Sequence, residues 1–356
     1  MQNEHKKSHC RERIYPFRGT HECVPYTVLG YLCILLQPRY KIRKENLHTM
    51  DISILITQMT KLFIIIILGY IIFKIKLVDD NFIKKFTKLI LNVTMPCMIL
   101  ASVIKVEERQ PITDVLTGLI TAAALFFIIL PLLSLLLTYI MRVKKHQRGL
   151  YIFMGTYSNV AFMGMPVIEA LCGSTGLFYT AIFNLMFNLS LFTLGVVMMN
   201  AGKENGAKLN IKALLTPGVL LSVLALVVYL INLKLPFIIT DTINMVGSIT
   251  SPSAMLLIGC PLAKMDIKKV FSNIRIYPWT LIKQIAIPLL LWVPLATVIK
   301  NETLLIVAYI LTAMPVANTA VLFATNYDSD VDSASRGVFI TTLFALITVP
   351  LCVLIV

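Results

Sequence analysis

The chain has 356 residues, of which 57% are hydrophobic and 14% are charged, and its formal net charge is +14. Soluble domains average about half apolar and about a quarter charged residues, so this composition excludes an ordinary soluble protein and predicts an all-α polytopic membrane protein. A bilayer explains the positive charge better than nucleic acid does, so we predict lipid as a partner and no nucleic acid.

Residues 1–49 form a basic extension that differs from the rest of the chain. Its apolar run at residues 24–36 is shorter than the roughly 20 residues that cross a bilayer comfortably. Its histidines and cysteines match no common zinc-binding spacing. We therefore predict that this extension is non-structural, and that the protein holds no metal and no cofactor.

Hydropathy predicts ten membrane spans in the remaining chain. In chain order they lie near residues 52–73, 86–104, 115–141, 149–171, 177–199, 214–233, 238–262, 277–299, 303–326 and 335–356. Spans 1–5 form a first five-helix repeat at 50–200, a short polar linker occupies 201–213, and spans 6–10 form a second repeat at 214–356.

Lysine and arginine are concentrated in the loops after spans 1, 3, 5 and 7, and are sparse in the loops between them. Because positive charge marks cytoplasmic loops, this alternation places the central linker in the cytoplasm and both termini of the ten-span core outside. We predict that the protein lies in the plasma membrane.

The two halves share a proline pattern. Met165-Pro166-Val167 in span 4 returns as Met314-Pro315-Val316 in span 9, and "TMPCMIL" in span 2 is similar to "TSPSAML" in span 7. Since each half has an odd number of spans, the second copy must enter the membrane upside down. The pattern therefore predicts an inverted repeat.

Proline removes a backbone N–H and clashes with the carbonyl four residues earlier, so each of these prolines frees polar backbone inside the membrane. A lone proline would most simply kink a helix. Matched prolines in inverted copies instead predict discontinuous helices that meet near the midplane of a secondary transporter.

Polar residues around these prolines are the predicted substrate-binding residues: Thr94, Ser158, Asn159, Pro166, Ser251, Pro315, Asn318 and Thr319. Charges inside spans are functional candidates. Glu169 is either an ion or proton site or a side chain that reaches the outer interface. Lys61 and Lys283 are expected to reach an interface with their long stems.

Several of these segments resemble the auxin efflux carrier family. The run "SNVAFMGMPVIEALCG" (158–173) resembles its first broken helix, "LTAMPVANTAVLFATNYD" (311–328) its second, and "LNVTMPCMIL" its span-2 signature. The resemblance covers about residues 50–356, with the motifs in the family's order.

The resemblance implies ten spans in two inverted repeats, a scaffold domain that forms a homodimer, and a transport domain in which broken spans 4 and 9 cross. It also implies small organic anions as substrates: auxin in plants, and dicarboxylates such as malate or malonate in bacterial members. Asn159 and Pro166 would belong to one crossing helix and Pro315 to the other. Glu169 departs from the family, because plant carriers tend to have a basic residue there.

We therefore predict a secondary transporter of small organic anions that works by alternating access. The alternatives are a sodium-coupled organic-anion symporter of the bile-acid type and, less favoured, a channel or a membrane receptor. An enzyme is not predicted, because the spans carry no His/Asp/Glu/Cys cluster and the only histidine after residue 50 is His146, in a basic loop.

Overall fold

Every regular element in the part of the chain that the computed structural model describes is a helix. That part comprises residues 52–104, 110–200, 217–231, 233, 235–264, 271 and 274–355. The predicted extension at 1–49 and the predicted linker at 201–213 lie outside it.

The helices of the first half are α1 (Ile52–Lys74), α2 (Asp80–Leu89), α3 (Met95–Ile104), α4 (Ile112–Ala124), α5 (Leu130–Ile140), α6 (Arg148–Thr156), α7 (Met165–Ser190) and α8 (Val196–Asn200). Those of the second half are α9 (Pro217–Ile231), α10 (Phe237–Ser248), α11 (Thr250–Lys264), α12 (Ile276–Leu281), α13 (Ile287–Val298), α14 (Glu302–Ala313), α15 (Thr319–Asn326) and α16 (Val331–Ile355). A 3-10 turn at Lys145–Gln147 precedes α6.

Within the described residues, several helices join into runs that are long and apolar enough to cross a bilayer. Five such runs occur: Ile112–Ile140, Val160–Asn200, Phe237–Lys264, Ile276–Val298 and Val331–Leu354. Helix α14 is equally apolar in character but has only 12 residues. The all-helical membrane architecture is confirmed, whereas the count of ten spans and the inverted repeat stay predictions.

The longest run, Val160–Asn200, is not one straight helix. Gly173 has φ 61° and ψ −152°, a conformation that is essentially restricted to glycine. A Cβ built on Gly176 would lie 2.7 Å from Cγ2 of Ile168, whereas eight residues of straight helix extend about 12 Å. The chain therefore turns back at Gly173, inside α7.

Four prolines are preceded by a π-helical segment. The segments Ile90–Thr94, Leu125–Ile129, Val160–Gly164 and Ile282–Ala286 each lead into a helix whose second residue is proline. Proline cannot donate to the carbonyl four residues earlier, and the wider π turn absorbs the misfit. The N–H of Met165, for example, donates to the carbonyl of Val160. The helical run thus passes through Pro166, and the interruption predicted there lies instead at residues 157–159.

Glycines allow close packing between α1 and α11. A Cβ on Gly259 would lie 2.0 Å from the carbonyl oxygen of Ile66, and one on Gly69 would lie 2.2 Å from that of Leu256. Small residues let membrane helices approach backbone to backbone in this way. Together with α3, α9 and α10, this pair forms one packed group.

The second packed group contains α4–α6, α8 and α12–α15. Helices α7 and α16 pack against members of both groups, and the π segment Val160–Gly164 also contacts α11. The second group contains α6, α14 and α15, whose ends border the two helix interruptions of the candidate site.

Candidate functional site

Two helices are interrupted in the protein interior, and the interrupted segments lie against each other. Helix α6 ends at Thr156 and the helical path resumes at Val160, while α14 ends at Ala313 and α15 starts at Thr319. We call residues 157–159 and 314–318 the crossing. Broken spans 4 and 9 and their contact are the arrangement that the resemblance implied.

The two strands of the crossing pair through antiparallel backbone hydrogen bonds. The N–H of Asn159 donates to the carbonyl of Pro315 at 2.7 Å, and the N–H of Ala317 donates to the carbonyl of Tyr157 at 3.0 Å. Each broken helix therefore satisfies backbone groups of the other. Non-helical backbone persists at membrane depth only when protein satisfies it in this way.

Side chains from neighbouring helices satisfy further groups of the crossing. The hydroxyl of Thr341, on α16, accepts from the N–H of Val316 at 3.0 Å. The Tyr157 hydroxyl donates to the carbonyl of Ser190 at 2.8 Å, and the Ser190 hydroxyl donates to the carbonyl of Phe126 at 2.8 Å. These hydrogen bonds connect the crossing to α16, to α7 and to the π segment Leu125–Ile129 that precedes α5.

Asn159 has one partner and one free group. Its Oδ1 accepts from the N–H of Phe162 at 3.1 Å and so caps the helical run that starts at Val160. The side chain is only 3% exposed, yet its Nδ2 has no hydrogen-bond partner among the described residues. A buried donor without a partner costs about 1–3 kcal/mol, so this amide is a natural contact for a bound ligand.

Lys283 lies at the crossing, and the expectation that it reaches a membrane interface is wrong. It sits in the π segment Ile282–Ala286 and is 1% exposed. Its Nζ donates to Oγ of Ser158 at 2.8 Å and to the carbonyl of Met314. Among the described residues no carboxylate pairs with it.

The position of Lys283 follows from pairing between distant segments, which hydropathy does not report. One signal was present in the sequence: Lys283 is the single charge in the apolar run Ile276–Val298. An isolated charge at such a place costs too much unless the protein compensates it, which makes it a functional candidate.

The other sequence-predicted residues fall into three groups. Ser158, Asn159, Pro315 and Asn318 belong to the crossing itself, and Thr319 is the first residue of α15. Thr94 ends the π segment before α3, and Ser251 on α11 contacts Sδ of Met98 on α3 at 3.9 Å. These two residues belong to the first packed group.

Pro166 and Glu169 lie further along α7. Pro166 is buried just after the π segment, whereas Glu169 is exposed. Glu169 follows Asn159 by ten residues, which corresponds to about 15 Å along a helix. The structure therefore does not bring Glu169 into the crossing.

A cavity of about 390 Å³ lies beside the crossing rather than in it. It is lined by Met141, Val143, Lys144, Gln147, Tyr151, Arg275 and Trp279. Trp279 precedes Lys283 by one helical turn, and its ring packs edge-on against Tyr151 with centroids 5.7 Å apart. No residue of the crossing lines this cavity. The candidate site is therefore defined by the contacts within the crossing and not by the cavity.

Comparison with known proteins agrees with this architecture. The sequence model of the family described as membrane transport protein matches residues 54–353. The chain is 24% identical over 314 residues to the uncharacterized transporter YfdV of Escherichia coli strain K12, covering 84% of this chain and 97% of the relative.

A second relative comes from an archaeon. The uncharacterized transporter MJ1031 of Methanocaldococcus jannaschii is 23% identical over 295 residues, covering 81% of this chain and 94% of the relative. Because the family model spans nearly the whole described region, the chain belongs to the membrane transport protein family, the auxin efflux carrier family, and is a membrane transporter.

Proposed function

We propose that this transporter carries small organic anions, such as malate, malonate or auxin-like carboxylates, across the plasma membrane by alternating access. The observation that carries the proposal is the crossing, where the unpartnered amide of Asn159 and the buried cation of Lys283 flank the same pair of broken helices.

The electrostatics of the crossing favour an anion. Two helical runs begin there, at Val160 and at Thr319, and a helix N-terminus carries about half a positive charge. Such ends bind carboxylates readily, and the Lys283 amine adds a hydrogen-bond donor nearby, with a positive charge when it is protonated. The hydroxyl of Thr319 is a further buried group that has no partner among the described residues.

The proposed mechanism uses the two packed groups. One group would act as a scaffold that also forms a homodimer, while the group with the crossing moves against it and exposes the site to each side in turn.

The proposal includes ten spans in two inverted repeats, with a cytoplasmic central linker and the core termini outside. Thr94 and Ser251 would line the scaffold side of the path, Pro166 would shape the crossing helix, and Glu169 would act as a peripheral ion or proton site.

Flux measurements test the site assignment. Purified protein would be reconstituted into vesicles, and uptake of radiolabelled malate would be compared for wild type, Asn159→Ala and Pro315→Ala. We expect at least a tenfold loss of flux in Asn159→Ala, because the crossing loses its buried, unpartnered amide donor. Asn188→Ala is the matched control, since among the described residues the Asn188 amide donates to the carbonyl of Asn184, one turn away in the same helix.

Unchanged flux in both Asn159→Ala and Pro315→Ala would remove the crossing from the substrate path.

The substrate class has its own test, in which melting temperatures of the purified protein are measured with a series of mono- and dicarboxylates. A transported acid stabilises the folded state by mass action. A series without any stabilising carboxylate would contradict an organic-anion carrier.

A further inference from the structure

We propose that the ammonium of Lys283 is a built-in cation that occupies the place a coupling sodium ion would take, so that transport requires no bound sodium. This inference deepens the proposed function and concerns the same crossing. It replaces the sodium-coupled alternative considered from the sequence.

The argument starts from the helix ends at the crossing. Two helices begin there, but two also end there, α6 at Thr156 and α14 at Ala313. Helix C-termini carry about half a negative charge and present free carbonyls. In transporters with broken helices, such carbonyls and C-terminal ends are the ligands of a coupling cation. The crossing therefore needs positive charge on the side of these two ends.

Lys283 supplies that charge. Its Nζ donates to the carbonyl of Met314, the residue that follows the last helical residue of α14, and to Oγ of Ser158, two residues beyond the end of α6. The Ser158 hydroxyl in turn points to the carbonyl of Thr312 at 3.5 Å. A carbonyl and a hydroxyl are the oxygen ligands expected of an alkali-metal site, and here they accept from an ammonium.

The neighbouring residues hold this cation in place. Gln284 donates through Nε2 to the carbonyl of Thr341 at 2.9 Å, and the Thr341 hydroxyl accepts from the N–H of Val316 in the crossing. The helix that carries Lys283 and the strand that it contacts are thus linked through α16. A cation fixed by this network cannot leave with the substrate, so it balances charge without being transported.

The experiment compares two substitutions of Lys283 in three salts. Lys283→Ala removes the ammonium and opens space next to the Met314 carbonyl, whereas Lys283→Met removes the ammonium but fills the space. Melting temperatures of the full chain in detergent would be measured in NaCl, methylammonium chloride and N-methylglucamine chloride. All three salts would be used at matched ionic strength, because screening must be equal.

We expect Lys283→Ala to melt several degrees below wild type in N-methylglucamine and to recover with NaCl or methylammonium along a saturable binding curve. Lys283→Met should stay destabilised in all three salts, since no cation fits. Wild type should show the same melting temperature in each salt, and its malate flux should not change when sodium is replaced.

Three results would overturn the inference: stabilisation of the wild type by sodium, equal melting of Lys283→Ala in all three salts, or failure of Lys283→Ala to yield folded protein even when purified in sodium and methylammonium. The melting measurements use no substrate. A normal cation response without carboxylate flux would therefore contradict the proposed function alone, and normal flux without a cation response would contradict this inference alone.

Discussion

The backbone N–H of Asn159 donates to the carbonyl of Pro315 at 2.7 Å, which joins the two halves of the chain at their interrupted helices. The same Pro315 belongs to the proline pattern that repeats between the halves. The proline of the second half thus lies in the break itself, whereas Pro166 lies inside a continuous helical run. The two copies of the motif share sequence but differ in local structure.

Removal of the Thr341 hydroxyl should destabilise the crossing. In Thr341→Val the N–H of Val316 loses its acceptor and stays buried, which costs about 1–3 kcal/mol. Thr348→Val is the matched control, because in the described part of the chain the Thr348 hydroxyl donates to the carbonyl of Phe344 within the same helix. Melting temperatures in detergent check the difference. Equal melting of the two variants would show that Val316 does not depend on Thr341.

The close packing of α1 on α11 should not tolerate a methyl group at Gly259. In Gly259→Ala the new Cβ would lie 2.0 Å from the carbonyl oxygen of Ile66, so the helices must separate at a cost of about 1–3 kcal/mol or more. In the control Gly118→Ala the nearest atom is the flexible Cδ1 of Leu304 at 3.3 Å. We expect a lower melting temperature and a lower yield for Gly259→Ala alone, measured by fluorescence-detected size exclusion after heating.

Asp330 should make stability depend on pH. Partial burial raises the pKa of this carboxyl group, but hydrogen bonds from the hydroxyl and N–H of Ser333 and from Gln147, together with the charge of Arg336, outweigh burial and lower the pKa below its usual value. A group whose pKa is lowered by folding stabilises the folded state above its unfolded pKa of about 3.9. That stabilisation is lost as the pH falls through the lowered folded pKa.

The test is the melting temperature of wild type and of Asp330→Asn between about pH 7 and pH 3. The wild type should lose its advantage over Asp330→Asn as the pH falls below about 4. Asp332→Asn serves as the control, because Asp332 is exposed in the first turn of α16, the helix that directly follows Asp330. The prediction would be contradicted if the difference in melting temperature between wild type and Asp330→Asn stayed constant over the whole pH range.

The Asn301 side chain links three helices, so a charge introduced at this position should lower the melting temperature. Its Oδ1 caps α14 by accepting from the N–H of Leu304 at 3.0 Å, and its Nδ2 donates to Oδ2 of Asp114 at 2.7 Å and to the Tyr179 hydroxyl at 3.3 Å. Asn301→Asp keeps the cap but places two carboxylates together, whereas Asn301→Ser keeps a cap without the added charge.

At neutral pH we expect Asn301→Asp to melt below Asn301→Ser, because like charges at hydrogen-bond distance repel. As the pH falls and a carboxylate takes up a proton, the difference should vanish. Circular dichroism melts at about pH 7 and about pH 4 check both statements. A difference that persists at the lower pH would mean that repulsion is not its cause.

Local features of the fold were predictable from the sequence. Apolar runs near 115–141 and 277–299 correspond to the helical runs Ile112–Ile140 and Ile276–Val298, because the bilayer constrains length and composition within each span. The family was predictable as well, since the motifs around Asn159 and Pro315 lie in a fixed order. The residues of the crossing strands, Ser158, Asn159 and Pro315, were named from those motifs.

The detailed position of the interruption was not predictable. Proline chemistry alone places it at Pro166, but a π turn accommodates that proline, and the break falls where residues 157–159 can pair with residues 314–318. Lys283 was misplaced for a related reason. A hydropathy profile treats a lysine near the end of a span as one that reaches water, and it contains no term for an internal carbonyl that can accept from the ammonium.

The sequence by itself determined that this chain is a helical membrane transporter of its family, because hydrophobic length and ordered motifs are properties of the chain read one segment at a time. Only the tertiary structure decided which backbone groups the helices leave free, which strand satisfies them and which oxygen atoms accept from Lys283. Those outcomes depend on hydrogen bonds between residues far apart in the chain, and such pairs form only when the folded helices bring them together.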